Sequence, residues 1–234
     1  MTPIKLVAFD LDGTLVDSAP DIARAVDRMT HALGLPPPGF DKVRAWVGDG
    51  ARRLVKRALT GEPEGEPDAA LYRRGFEVFR CAYREQVAVE SNLYPHALST
   101  LRQLRAGRFK LACITNKSAE FTVPLLRALA IHECFDLVLS GDSLTARKPD
   151  PLPLRHAAEQ LAVAPAAACM VGDSRNDILA ARAAGFRAVA VRYGYGKDLT
   201  ALGADAMLDS LAELPLLLEQ WAAGLAPVPV SRYV

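Results

Sequence analysis

The sequence has no excess of charge of either sign: 28 Lys and Arg stand against 27 Asp and Glu in 234 residues, a formal net charge of +1. With no strongly basic stripe, it lacks the electrostatic footprint of a nucleic-acid binder, and no nucleic-acid partner is expected. The cluster Arg52, Arg53, Lys56 and Arg57 reads first as a solvated helix face. Long apolar runs are also missing. No stretch reaches the roughly 20 residues needed to cross a bilayer, and the start MTPIKLVAFDLDG has no sustained apolar segment followed by a small-residue cleavage site. A cytoplasmic chain without a membrane partner is the expectation. Cysteine is scarce. Cys81, Cys113, Cys134 and Cys169 are far apart and lack the paired spacing of a zinc site, which leaves four reduced thiols. Apolar residues are plentiful at 50%, enough for a substantial core and inconsistent with a mainly disordered chain.

Those residues fall into two patterns. Ile4 to Phe9 is a short, nearly all-apolar run ending at Asp10, as expected of a buried parallel strand that delivers an acid to its carboxyl end. Phe109 to Thr115, Ala167 to Val171 and Ala188 to Val191 repeat the strand signal, with helical stretches between them and Gly185 stopping the one that holds Ile178, Ala181 and Ala184. Alternation of this kind predicts an α/β fold, a doubly wound parallel Rossmann-like sheet. From about Pro20 to Tyr94 the pattern turns helical. Ile22, Val26, Met29 and Leu33 share a face, as do Leu54, Val55, Ala58 and Leu59, and then Phe76, Phe79 and Tyr83; GEPEGEPD at 61–68 is a loop among them. The predicted organisation is a discontinuous core of residues 1–18 and 95–225, a small helical cap domain of 19–94, and a tail of 226–234. That tail is proline-rich and apolar, leaving mobility, packing on the core and packing on another subunit equally open.

Asp10 and Asp12 flank Leu11 and precede Gly13 and Thr14. At a turn both acids can converge on one ligand while the glycine lets backbone amides approach it; a phosphate suits that arrangement if a cation is also present. Taken alone, the same residues also describe a surface turn with two solvated acids.

The wider context resembles one family. AFDLDGTLVDS at 8–18 is similar to the first motif of the haloacid-dehalogenase-like phosphatases. Thr115-Asn116-Lys117, Lys148-Pro149 and GDSRND at 172–177 resemble the second, third and fourth motifs, in order. SGDSLTARKPDP at 140–151 and VGDSRNDILAARAAG at 171–185 look most like the bacterial phosphoglycolate phosphatase branch. The resemblance implies a Mg²⁺-dependent phosphatase acting on a small phosphorylated metabolite, most simply 2-phosphoglycolate. It implies Asp10 as nucleophile and Asp12 as acid/base, with Asp10, Asp173 and the backbone carbonyl of Asp12 on the metal. Asp177, one helical turn on, is expected to orient Asp173 or hold metal-bound water. Thr115, Asn116 and Lys148 are expected at the phosphate oxygens.

Other readings stay open at this level. A phosphosugar mutase or a broad sugar-phosphate phosphatase would use the same chemistry, and a catalytically silent binding module would keep only the fold. Gly48 and Gly50, with Arg52 or Arg53, are candidates for substrate contacts from the cap, although the glycines equally suit a helix-start turn. Asp17 and Ser18 read as turn or capping residues. Asp142 and Ser143 either orient Lys148 or end a strand. Monomer and homodimer are not distinguished.

Overall fold

The computed structural model describes residues 2–196 and 199–225. Six parallel strands form one sheet: β1 (Leu6–Phe9), β4 (Lys110–Ile114), β5 (Leu137–Leu139), β6 (Ala168–Gly172), β7 (Arg187–Val191) and β8 (Ala206–Leu208), in the order β5-β4-β1-β6-β7-β8. Strand β1 is central, with Phe9 in register with Cys113 of β4 on one side and Val171 of β6 on the other. Its four residues are fully buried and alternate between two cores. Val7 and Phe9 face the side covered by α5 (Ala97–Ala106), α6 (Ala119–Ala128) and α9 (Leu214–Ala222). Leu6 and Ala8 face α7 (Leu152–Gln160) and α8 (Arg175–Ala184). A strand apolar on both faces is stable only in such a two-sided layer, and each buried Leu or Phe contributes about 1.5–3 kcal/mol.

The strands expected from the apolar runs are present, and Gly185 closes α8 in the left-handed conformation, φ 80°. The edge strands β5 and β8 are each three residues long, too short to show a period: β8 leaves no sequence signal, and β5 shows only as the strand that Asp142 and Ser143 would end. The tail at 226–234 lies outside the described residues.

The chain leaves the sheet after β1 and returns before α5 through an antiparallel ribbon, β2 (Val16–Asp17) and β3 (Asn92–Leu93), with Val16 opposite Leu93. Four helices lie between: α1 (Ala19–Ala32), α2 (Phe40–Trp46), α3 (Ala51–Thr60) and α4 (Ala69–Glu85). The two-residue strands of the ribbon carry no pattern readable in the sequence. One acid anchors the return path. Asp21, buried in the first turn of α1, accepts the backbone amides of Val89, Glu90 and Ser91 and the Ser91 hydroxyl. Burying a carboxylate is costly unless hydrogen bonds satisfy it, as they do here.

Candidate active site

Asp10, Thr115 and Asp173 each follow the last residue of a strand, β1, β4 and β6, so adjacent parallel strands deliver them side by side at one edge of the sheet. Asp177 comes from the first turn of α8. Its Oδ2 accepts from the Ser174 amide (2.9 Å) and hydroxyl (2.5 Å), a reciprocal cap that fixes the carboxylate while starting the helix. Ligand oxygens of Asp10, Asp173 and Asp177 lie within 4.8 Å of one another, and all three residues are buried.

Lys148 enters this cluster from the loop after β5. Its Nζ donates to Asp10 Oδ1 (2.8 Å), Asp177 Oδ1 (2.6 Å) and the Ile114 carbonyl (2.5 Å). Burial alone would lower its pKa, but Asp10 and Asp177 outweigh that and hold it above the ordinary lysine value. The acids show the opposite strain. Burial pushes the Asp10 carboxyl up; Lys148 opposes this, while Asp177 and Asp173 add to it. Asp173 is raised by burial and by Asp177, despite donors from the Tyr195 amide and Thr14. One ammonium does not balance three buried carboxylates, and a further cation relieves the imbalance. The donors are all oxygen, so the cluster fits a hard divalent metal.

Asp173 is positioned by Thr14 and Tyr195, to which the sequence alone assigns no role. Thr14 Oγ1 donates to its Oδ1 (2.9 Å), and the Tyr195 amide to its Oδ2 (2.7 Å). Gly13, at φ +87°, leaves the space Asp173 occupies: a Cβ there would sit 2.3 Å from Asp173 Oδ2. Tyr195 also reaches the ribbon, its hydroxyl donating to Asp17 (2.7 Å) and accepting from the amides of Ser18 and Ala19. The sequence signal was GYG at 194–196, glycines directly beyond a buried strand. There a Cβ on Gly196 would collide with the Asp173 carbonyl.

Asp12 sits apart from the three-acid cluster. Its carboxylate accepts from Ser18 Oγ (2.5 Å) and, through both oxygens, from Lys117 Nζ (2.9 and 3.0 Å). Lys117 is also buried, with Nζ 4.8 Å from the Tyr83 ring centroid. Burial lowers its pKa, but Asp12 and Tyr83 together outweigh that and hold it above the ordinary lysine value. Thr115 Oγ1 accepts the Lys117 amide at 3.2 Å. Asn116 ties three segments together, its Nδ2 donating to the carbonyls of Gly48 and Lys148, each at 2.9 Å.

These groups border a cavity of about 40 Å³. Asp10, Asp12, Thr115, Asn116 and Lys117 form its polar floor, while Val47, Leu54, Phe79 and Tyr83 line the side of the helical segment, with Gly48 and Gly50 at its edge. Arg52 and Arg53, expected as possible substrate contacts, do not line it. Leu54, Val55 and Ala58 are the buried positions of α3, which leaves Arg52 exposed, stacked 5.6 Å from the Phe76 ring centroid, and Arg53 paired with Glu64 and Glu66. Of the expected residues, the structure gathers Asp10, Asp12, Thr115, Asn116, Lys148, Asp173 and Asp177, brings Gly48 and Gly50 to the rim, and leaves the two arginines outside.

Acids at strand ends, a lysine between them and a small cavity under a helical segment define a class of α/β hydrolase. The haloacid dehalogenase-like hydrolase model matches residues 4–185, and the chain belongs to that family. Among its relatives, the phosphoglycolate phosphatase of Nitrosospira multiformis is 46% identical over 220 residues, covering 93% of this chain and 97% of that protein. The phosphoglycolate phosphatase of Chromobacterium violaceum is 48% identical over 211 residues, covering 90% and 95%. In three dimensions the chain is similar to the crystal structure of a predicted phosphoglycolate phosphatase from Haemophilus somnus, with a TM-score of 0.87, 34% identity, and coverage of 92% of this chain and 98% of that one. Among the described residues no helix is long and apolar enough to cross a membrane.

Proposed function

We propose that the enzyme hydrolyses 2-phosphoglycolate to glycolate and phosphate through an aspartyl-phosphate intermediate on Asp10. The observation that carries this reading is a small cavity floored by Asp10, Asp12 and Thr115, with Asp10 tied through Lys148 to the buried acid cluster it forms with Asp173 and Asp177. The names and coverage of the relatives support the substrate.

Asp10 Oδ attacks phosphorus as the ester P–O bond breaks, and Asp12 gives a proton to the departing alkoxide. Asp12 then takes a proton from the water that attacks the acyl phosphate, releasing phosphate and restoring Asp10. The Thr115 hydroxyl, the Asn116 amide and the Lys148 ammonium bind nonbridging oxygens, where charge must be held through the transfer. Asp10, Asp173 and the Asp12 backbone carbonyl would hold Mg²⁺, with Asp177 as the third acid of the cluster; when bound, the ion would offset the repulsion between nucleophile and phosphate.

Residues 19–94 act as a cap over a core of 1–18 and 95–225, and the wall of Val47, Leu54 and Phe79 excludes water from the cavity. Asn116 and Asn176, both donating to the Gly48 carbonyl, latch the loop between α2 and α3 onto the core. Four free thiols suit a reducing cytoplasm.

The test is a purified-enzyme panel of 2-phosphoglycolate, hexose phosphates, nucleotides, phosphoserine and pyrophosphate, compared by kcat/KM with product identification. The reading requires 2-phosphoglycolate within about tenfold of the best substrate, a difference of roughly 1.4 kcal/mol in transition-state stabilisation. A hexose phosphate far ahead of it, or an isomerised product, rejects the substrate.

A further inference from the structure

Resting on the 2-phosphoglycolate reading, we infer that Lys117 is the residue that recognises the substrate's carboxylate, leaving its partner Asp12 to do so. The ligand class it selects is a phosphate monoester whose alcohol carries a carboxylate directly on the ester carbon.

The cavity needs a cation for that second charge, and its lining supplies one. Lys117 is the only Lys, Arg or His among the lining residues. Arg52 and Arg53 lie outside it, and Lys148 is buried behind the floor on Asp10, Asp177 and the Ile114 carbonyl. On the helical side Val47, Leu54 and Phe79 offer an anion no side-chain donor, and the Tyr83 hydroxyl supplies a neutral donor but no charge. A carboxylate enclosed there without a cation would carry an uncompensated desolvation cost.

Position favours the same residue. A group that protonates the ester oxygen must approach within about 3 Å of it. Asp12 holds Lys117 Nζ at 2.9 and 3.0 Å, so the ammonium stands one hydrogen bond beyond the acid that meets the ester oxygen. In a two-carbon phosphoester the carboxylate oxygens lie about 2.7–3.6 Å from that oxygen by ordinary bond lengths, which brings them to the ammonium without moving the backbone. Tyr83, with its ring under Lys117 Nζ, keeps the ammonium in place as partners change. Asp12 retains the Ser18 hydroxyl when Lys117 turns to the ligand. The carboxylate thereby both binds and releases the acid from its ion pair, coupling recognition to chemistry.

The test compares 2-phosphoglycolate with ethyl phosphate, a similar alkyl ester without the carboxylate, in the full-length wild-type and Lys117→Met enzymes with Mg²⁺ present. The ratio of kcat/KM for the two substrates should fall at least thirtyfold in Lys117→Met, and Lys117→Arg should restore at least a third of it. A lysine that serves only to hold the fold or Asp12 would depress both substrates together and leave the ratio unchanged, and that result overturns the inference while the substrate reading stands. A wild-type enzyme with no preference for 2-phosphoglycolate over ethyl phosphate overturns both. If Lys117→Met does not fold, Lys117→Gln, which removes the charge but keeps a donor for Asp12, is read by the same ratio.

Discussion

Lys148 and Asp177 are joined by a 2.6 Å hydrogen bond, and the same ammonium donates to Asp10 at 2.8 Å, so the lysine ties the first-strand acid to the acid at the start of α8. Beyond any contact with phosphate, it is the protein's own counter-charge for the acid cluster. Lys148→Met should therefore be costly even without substrate. In chelator-treated buffer we expect a loss of about 3–5 kcal/mol in urea unfolding, the usual cost of leaving a buried charge without its partner. A loss below about 1 kcal/mol would show that the cluster does not depend on Lys148.

Metal removal follows from the same imbalance. Mg²⁺ should raise the unfolding free energy of the wild-type protein, by about 2.7 kcal/mol at a hundredfold excess over its Kd. Asp173→Asn should lose most of that increment. Thermal unfolding with and without Mg²⁺ measures both, and equal Mg²⁺ stabilisation of the two proteins would remove Asp173 from the metal site.

Gly13 tests how closely the first and fourth motifs are fitted. A Cβ at φ +87° and 2.3 Å from Asp173 Oδ2 strains the backbone and displaces the acid at once. Gly13→Ala should cost about 1–3 kcal/mol in stability. It should also raise the Mg²⁺ concentration for half-maximal activity at least tenfold. An unchanged Mg²⁺ requirement would mean that Asp173 can move aside without losing the ion.

The sheet and the acids were legible because their signals are local. Buried strands such as Leu6–Phe9 are continuous apolar runs, and the acids stand at their ends. The edge strand Ala206–Leu208 was not legible and Leu137–Leu139 showed only through the residues that end it, since three residues show no period. Partnerships across the chain were harder still. Lys117 and Asp12 are 105 positions apart, and Tyr195 reaches Asp17 across 178; neither distance in sequence leaves a pattern. Arg52 and Arg53 illustrate the converse, where charge and proximity to a glycine turn suggested a ligand contact. The helical face set by Leu54 and Val55 instead keeps them out of the cavity.

The central claim is that Asp10 is the nucleophile. The most direct measurement is turnover of 2-phosphoglycolate by purified Asp10→Asn, with Mg²⁺ present and folding verified by circular dichroism. An amide cannot form the acyl phosphate, so turnover should fall by at least about a thousandfold, more than 4 kcal/mol in activation free energy, with the fold intact. Turnover within tenfold of wild type, in a sample free of contaminating phosphatase, would contradict it.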